Sequence, residues 1–209
     1  MATAVQLEGD VDNTNVQRVV RGSITLALIQ AVFVVLVSIV NKTFDGTIDH
    51  ALTGVLVFIG TAITVFYPGT LTRPRTIEGI AGAAGIGLGA TWVFLLIDAF
   101  LLQTFHVYTN RWREIGGGSI WWYLPVWWMV GTYLSWMGGW ILANQARKSG
   151  TSSVPGAIIL VAITTALCGA VAAVTHFPGA AWTVPTFAIA VLPGLALANI
   201  VSALGARRG

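Results

Sequence analysis

Long apolar runs alternate with short polar breaks along this chain. Six runs, at about 22–41, 51–67, 79–105, 120–144, 154–175 and 184–204, each approach or exceed the roughly 20 residues a helix needs to cross a hydrocarbon layer. The second is the shortest. Between them lie the breaks "NKTFDGTIDH", "YPGTLTRPRT", "HVYTNRWREIGGGS", "QARKSGTSS" and "HFPGAAWT", all rich in turn-forming residues. None is long enough for a soluble domain. A backbone in lipid must satisfy its own hydrogen bonds, so the runs are expected as helices.

The pattern predicts an all-α, polytopic membrane protein: a bundle of about six transmembrane helices. It divides the chain into a polar N-terminal tail (1–21), a six-helix transmembrane domain (22–204) and a short basic tail (205–209). The opening "MATAVQLEGDVDNTNVQ" is polar and acidic, unlike a signal peptide, so the first apolar run is expected to stay as a helix.

Composition supports the same picture. The chain is 56% hydrophobic and only 9% charged, too few charges to cover a water-facing surface. The single cysteine, Cys168, rules out an intrachain disulfide and reads as a small buried apolar residue. A net charge of +3, scattered along the chain, suggests no nucleic-acid surface.

The charges matter as topology signals. Arg18, Arg21, Arg73, Arg75, Arg147, Lys148, Arg207 and Arg208 fall on one side of a six-span arrangement; Lys42, Arg111 and Arg113 fall on the other. Basic residues favour the cytoplasmic side, so both termini are expected there. The localisation this implies is the inner membrane of a bacterium.

The fourth run is unusual. "SIWWYLPVWWMVGTYLSWMGGW" holds Trp121, Trp122, Trp127, Trp128, Trp136 and Trp140, six of the nine tryptophans. Trp121, Trp122 and Trp140 lie near its ends, where an indole suits the headgroup level. Trp127, Trp128 and Trp136 are deeper. They either fill gaps and face lipid, or form an aromatic wall for a quinone, a carotenoid, a chlorin or a partner subunit. Pro125 is expected to bend this helix. The third run has the opposite composition: "GIAGAAGIGLGA" is nearly free of side chains, and Gly85 and Gly89 form a small-xxx-small pair of the kind that lets helices approach closely.

Asp98 is the only acid well inside a predicted span. A carboxylate in a membrane must be paired, protonated or wet, so it is a functional candidate by default. Gln30 and Asn199 are its candidate partners, or else interhelical glue. The three histidines, His50, His106 and His176, all fall on the outer side, with Asp45, Asp49 and Glu114. This makes a candidate metal set, although no pair has the spacing that would place two ligands on one helical face. The aromatic–Pro–Gly sequences at 67–69 and 177–179 make a faint repeat of the kind an inverted transporter repeat would leave.

No hydrolase triad, P-loop or zinc-protease pair is present. The function expected first is a subunit of a larger membrane complex, energy-converting or redox, not catalytic on its own, in contact with lipids and other membrane subunits. A small transporter or channel organised around Asp98 comes second. A membrane metalloenzyme subunit with an outer-face metal ion comes third.

Overall fold

The computed structural model describes residues 14–107 and 120–204; for residues 120–124 and 184 it describes the backbone alone. The described chain is a bundle of six helices: α1 (Val16–Thr43), α2 (Gly46–Thr72), α3 (Ile77–Ile97), α4 (Ile120–Ser149), α5 (Val154–Val174) and α6 (Val184–Ala203). A π-helical segment, Asp98–Leu102, prolongs α3.

The helices run past the apolar stretches that foretell them. The break expected at 41–50 contracts to Phe44 and Asp45, because polar residues at a span's end still continue its backbone hydrogen bonds. Pro68 and Gly69 lie inside α2, which ends at Arg73 in a left-handed conformation (φ 47°). Pro178 and Gly179 instead form a turn after α5. The two aromatic–Pro–Gly sequences therefore have unlike backbones.

Burial is inverted relative to a soluble protein. On α1 the large apolar residues Val20, Ile24, Leu28, Val32, Leu36 and Ile39 are exposed, one lipid-facing stripe at helical spacing. Its inward face carries Gly22, Ser23, Ala27, Ala31 and Ser38 together with Leu26 and Val37. On α5, Ile159, Ile163, Leu167, Val171 and Val174 point outward, while Ala157, Thr164, Gly169 and Ala173 point in. Large apolar groups lose nothing by facing hydrocarbon, and small residues let helix backbones meet. Among the described residues, five helices are long and apolar enough to cross a membrane. α4, with 30 residues, is not among them: its Trp, Tyr, Gly and Ser dilute its hydropathy. The chain is a multi-pass membrane protein.

α4 packs against α2, α3 and α6, and α5 packs on the far side of α6. That central position relieves α4 of the need to be uniformly apolar. Its contact with α3 is a seam of small residues repeating every four positions on both helices. Ala83, Gly87 and Thr91 face Gly139, Ser135 and Gly131 in antiparallel order. A Cβ added at Gly139 would lie 2.9 Å from the Ala83 Cβ, and one at Gly87 would lie 2.5 Å from the Ser135 Cβ. The expected Gly85–Gly89 pair plays a different part. Gly89 packs on Ser23 of α1, but Gly85 has only a loose contact, with a Cβ there 3.9 Å from Val19. The tight glycine toward α4 is Gly87.

The bundle has two distinct ends. At one, Arg75 donates to the Gly150 carbonyl at 3.3 Å, Arg147 Nε donates to the Arg75 carbonyl at 3.0 Å, and Lys148 reaches the Leu204 carbonyl at 3.5 Å. The Gly150 and Leu204 carbonyls follow helix C-termini, where positive charge is favoured. At the other end, Lys42 donates to the His106 carbonyl at 3.1 Å and Ser38 donates to the Val107 carbonyl. Of the basic residues counted on one side by sequence, Arg75, Arg147 and Lys148 meet carbonyls at the first of these ends.

Candidate functional site: the polar positions and an apolar groove

Asp98 is buried, 6% exposed, at the first position of the π segment. Its carboxylate Oδ2 accepts from Gln103 Nε2 at 2.8 Å, and its carbonyl accepts the Gln103 N–H at 2.9 Å. In a regular α-helix, residues five apart point roughly 140° away from each other. The wider π turn brings Gln103 round beneath Asp98 and makes both bonds feasible. The partners expected from the sequence are engaged elsewhere. Gln30 Nε2 donates to Thr64 Oγ1 at 3.2 Å, and the Thr64 carbonyl accepts from Ser135 Oγ at 3.1 Å, which ties α1, α2 and α4 together.

Asn199 belongs to a second polar knot, between α4 and α6. Asn144 Nδ2 donates to Ser202 Oγ at 2.9 Å and lies 3.4 Å from Asn199 Oδ1. Asn199 Nδ2 lies 3.4 Å from the Met137 carbonyl, and the Ser202 hydroxyl donates to the Asn199 carbonyl at 2.8 Å. Sequence reasoning missed Asn144 and Ser202. The signal was depth: both lie near the C-terminal, basic end of their helices, and α4 and α6 run parallel, which places them at one level.

The histidines take separate roles. His106 and His176 sit at φ 52° and 51°, each in the turn that follows its helix. The His106 N–H bonds the Gln103 carbonyl, and the next residue, Val107, bonds back to Leu102. His176 bonds Ala173, and Phe177 bonds Ala172. Both are Schellman helix ends, with histidine where glycine is usual and an apolar residue after it. Their common side follows from α3 and α5 ending at the same face. Glu114 lies outside the described residues, and among those described no three His, Cys, Asp or Glu come together. His50 is in the first turn of α2 beside Asp49, with its Nδ1 2.6 Å from the Gly46 carbonyl.

The deep tryptophans separate too. Trp128 stacks on Trp92 of α3, with ring centroids 4.5 Å apart and planes 22° apart. Trp136 is 40% exposed toward lipid and lies against Trp140 at 5.7 Å. Trp127 lines a groove. The side chains of Trp121 and Trp122 lie outside the described residues.

This groove has a volume of about 860 Å³. Its walls are α2 on one side and the α5–α6 hairpin on the other, and α4 forms the floor. At the arginine end the walls close around Val65, Phe66, Ile141, Leu142 and Leu195. Toward the histidine end they part, and the lining ends in a polar mouth of Asn41, Asp49, His50 and Thr53. Nothing in the periodicity announces such a space, because it arises from the splay of two helices. Small residues on its walls, Gly54, Ala162, Ala166 and Ala188, are the trace it leaves in the sequence. Compared with known protein families, curated proteins and solved structures, the chain matches none of them.

Proposed function

We propose that this chain is an integral subunit of a larger complex in a bacterial inner membrane, energy-converting or redox in character and not catalytic on its own. Both termini face the cytoplasm, in keeping with the basic residues gathered at one end of the bundle. The groove floored by α4 is the surface it offers to a partner or ligand, and Trp127 is its aromatic contact. The observation that carries this reading is the groove itself. A space of about 860 Å³ falls in the range of ligand sites, roughly 300–1,000 Å³, and its lining is almost wholly apolar. Extraction in mild detergent tests it, because partner proteins, pigment absorbance and bound metal are all seen in one preparation. A partner or chromophore that stays with the native chain and leaves Trp127→Ala is the expected result.

A second reading, a transporter or channel built around Asp98, draws on the π segment. Single π turns inside helices are frequent at functional sites, and this one begins at the buried carboxylate. Between Asp98 and the arginine end, the middle of the described spans holds no Asp, Glu, His, Lys or Arg to carry a path. That keeps this reading second. For an outer-face metal enzyme, the described histidines and carboxylates supply no gathered ligand set.

A further inference from the structure

We infer that the arginine end of the bundle holds an anionic phospholipid, with its phosphate on Arg147 and an acyl chain in the crease between α3 and α4. The groove lined by Trp127 and Leu134 lies on the opposite face of α4 and plays no part.

Helix register makes the crease. Trp136, Trp140 and Arg147 are four and seven positions apart, so they project within about 40° of one another on α4. On the other side of the seam, a Cβ at Gly138 would meet the Val65 carbonyl at 1.9 Å. Thus α2 covers one side of the α3–α4 contact and leaves the other to lipid. On that open side α3 presents Ile77, Ala81, Ala84 and Leu88, again at helical spacing. Ile77, Leu88, Trp136 and Trp140 are all exposed. The two indoles lean together at 5.7 Å, and the alanines opposite add little bulk. The result is a shallow apolar slot about 16 Å long from Trp136 to Arg147, the reach of an acyl chain below its headgroup.

The head of the slot is cationic. Arg147 Nε donates to the Arg75 carbonyl at 3.0 Å, which fixes the guanidinium at this level. Its two terminal amino groups carry four more N–H donors at an exposed position, in the planar fork that matches a phosphate. Arg75 is brought alongside by its bond to the Gly150 carbonyl, and Lys148 follows next in the chain. Among the described residues this end also carries Arg18, Arg21 and Arg73, against one acid, Glu78, which accepts from Thr76. Glu78 is one residue on from Ile77, so it is turned about 100° round α3 from the crease. A phosphate on Arg147 therefore meets a surplus of positive charge. A zwitterionic lipid would bring its own ammonium into that surplus, and an anionic lipid brings none.

The test uses the full chain in mild detergent, with phosphatidylglycerol and phosphatidylcholine of identical acyl chains added in equal amounts, and lipid adducts measured by native mass spectrometry. The phosphatidylglycerol adduct should be retained about tenfold over phosphatidylcholine, the scale of one charge-assisted hydrogen bond. Arg147→Ala should bring the two lipids close to parity, and Trp140→Ala should weaken both. Arg147→Lys keeps the charge but loses the fork, so it should also lose most of the preference. Arg21→Ala and Arg73→Ala, at exposed positions outside the crease, should retain it. Excess inorganic phosphate, which has no acyl chain, should displace neither lipid. Equal retention of the two lipids by the native chain would overturn the inference, as would a preference untouched in Arg147→Lys. An equal fall in Arg73→Ala would assign the preference to diffuse surface charge and overturn it too. Should Arg147→Ala fail to fold, the Arg147→Lys and Arg73→Ala results decide.

Discussion

Trp128 of α4 stacks on Trp92 of α3 at 4.5 Å, and its indole N–H is buried with no hydrogen-bond partner among the described residues. The ring is held for its face and area. Trp128→Phe should therefore leave thermal stability in detergent nearly unchanged, since it removes an unsatisfied donor and keeps an aromatic face. Trp128→Ala should cost about 3 kcal/mol through the cavity it opens. Reversible unfolding in mixed micelles separates the two variants.

The small-residue seam between α3 and α4 makes a second prediction. A Cβ at Gly87 would sit 2.5 Å from the Ser135 Cβ and also crowd the Gly131 carbonyl. Gly87→Ala should destabilise by about 1–3 kcal/mol through overpacking. Gly85→Ala should be close to neutral, because its nearest neighbour would be 3.9 Å away. Equal losses at the two glycines would show that the seam is misplaced.

Topology can be read with single cysteines in a Cys168→Ala background. Ser152 and Thr104 are exposed at opposite ends of the bundle. With the arginine end in the cytoplasm, an impermeant thiol reagent added to intact cells should label Thr104→Cys and spare Ser152→Cys. Labelling of Ser152→Cys alone would invert the orientation, and labelling of both would sink the six-span arrangement.

Asp98 separates assembly from transport. Asn keeps the shape and can still accept from Gln103, but it cannot titrate. If the carboxyl group is a structural hydrogen-bonding partner within the π turn, Asp98→Asn should leave expression and melting temperature within about 0.5 kcal/mol of native stability, the scale of a tolerated substitution. Asp98→Leu should cost about 1–3 kcal/mol by stranding Gln103. A proton or cation flux in proteoliposomes that vanishes in Asp98→Asn would promote the transport reading to first place.

The helices and their approximate bounds were legible in the apolar runs, because lipid demands long uninterrupted stretches and punishes exceptions. Helix ends were less so: Phe44 and Asp45 are the whole of a break that reads as ten residues, since polarity at a span's end does not stop a helix. The partners of Asp98, Gln30 and Asn199 were not legible, because each is settled by a rotation or a depth that periodicity does not encode. Gln103 reaches Asp98 only through a π turn, and Asn144 meets Asn199 only because α4 and α6 lie side by side. His106 and His176 read as ligands when their shared location came from helix-ending geometry. Of the three deep tryptophans the spacing left Trp127, Trp128 and Trp136 equivalent, and packing assigned one to a groove, one to a stack and one to the lipid face.

On the reading proposed above, the Trp127 groove is an occupied surface in the native membrane. Native mass spectrometry of the chain released from mild detergent tests it. The native chain should carry additional mass, as a partner protein or a small amphiphile, and the groove-filling Ala162→Phe variant should lose it while remaining folded. A bare, colourless, monodisperse monomer in both preparations would contradict the claim.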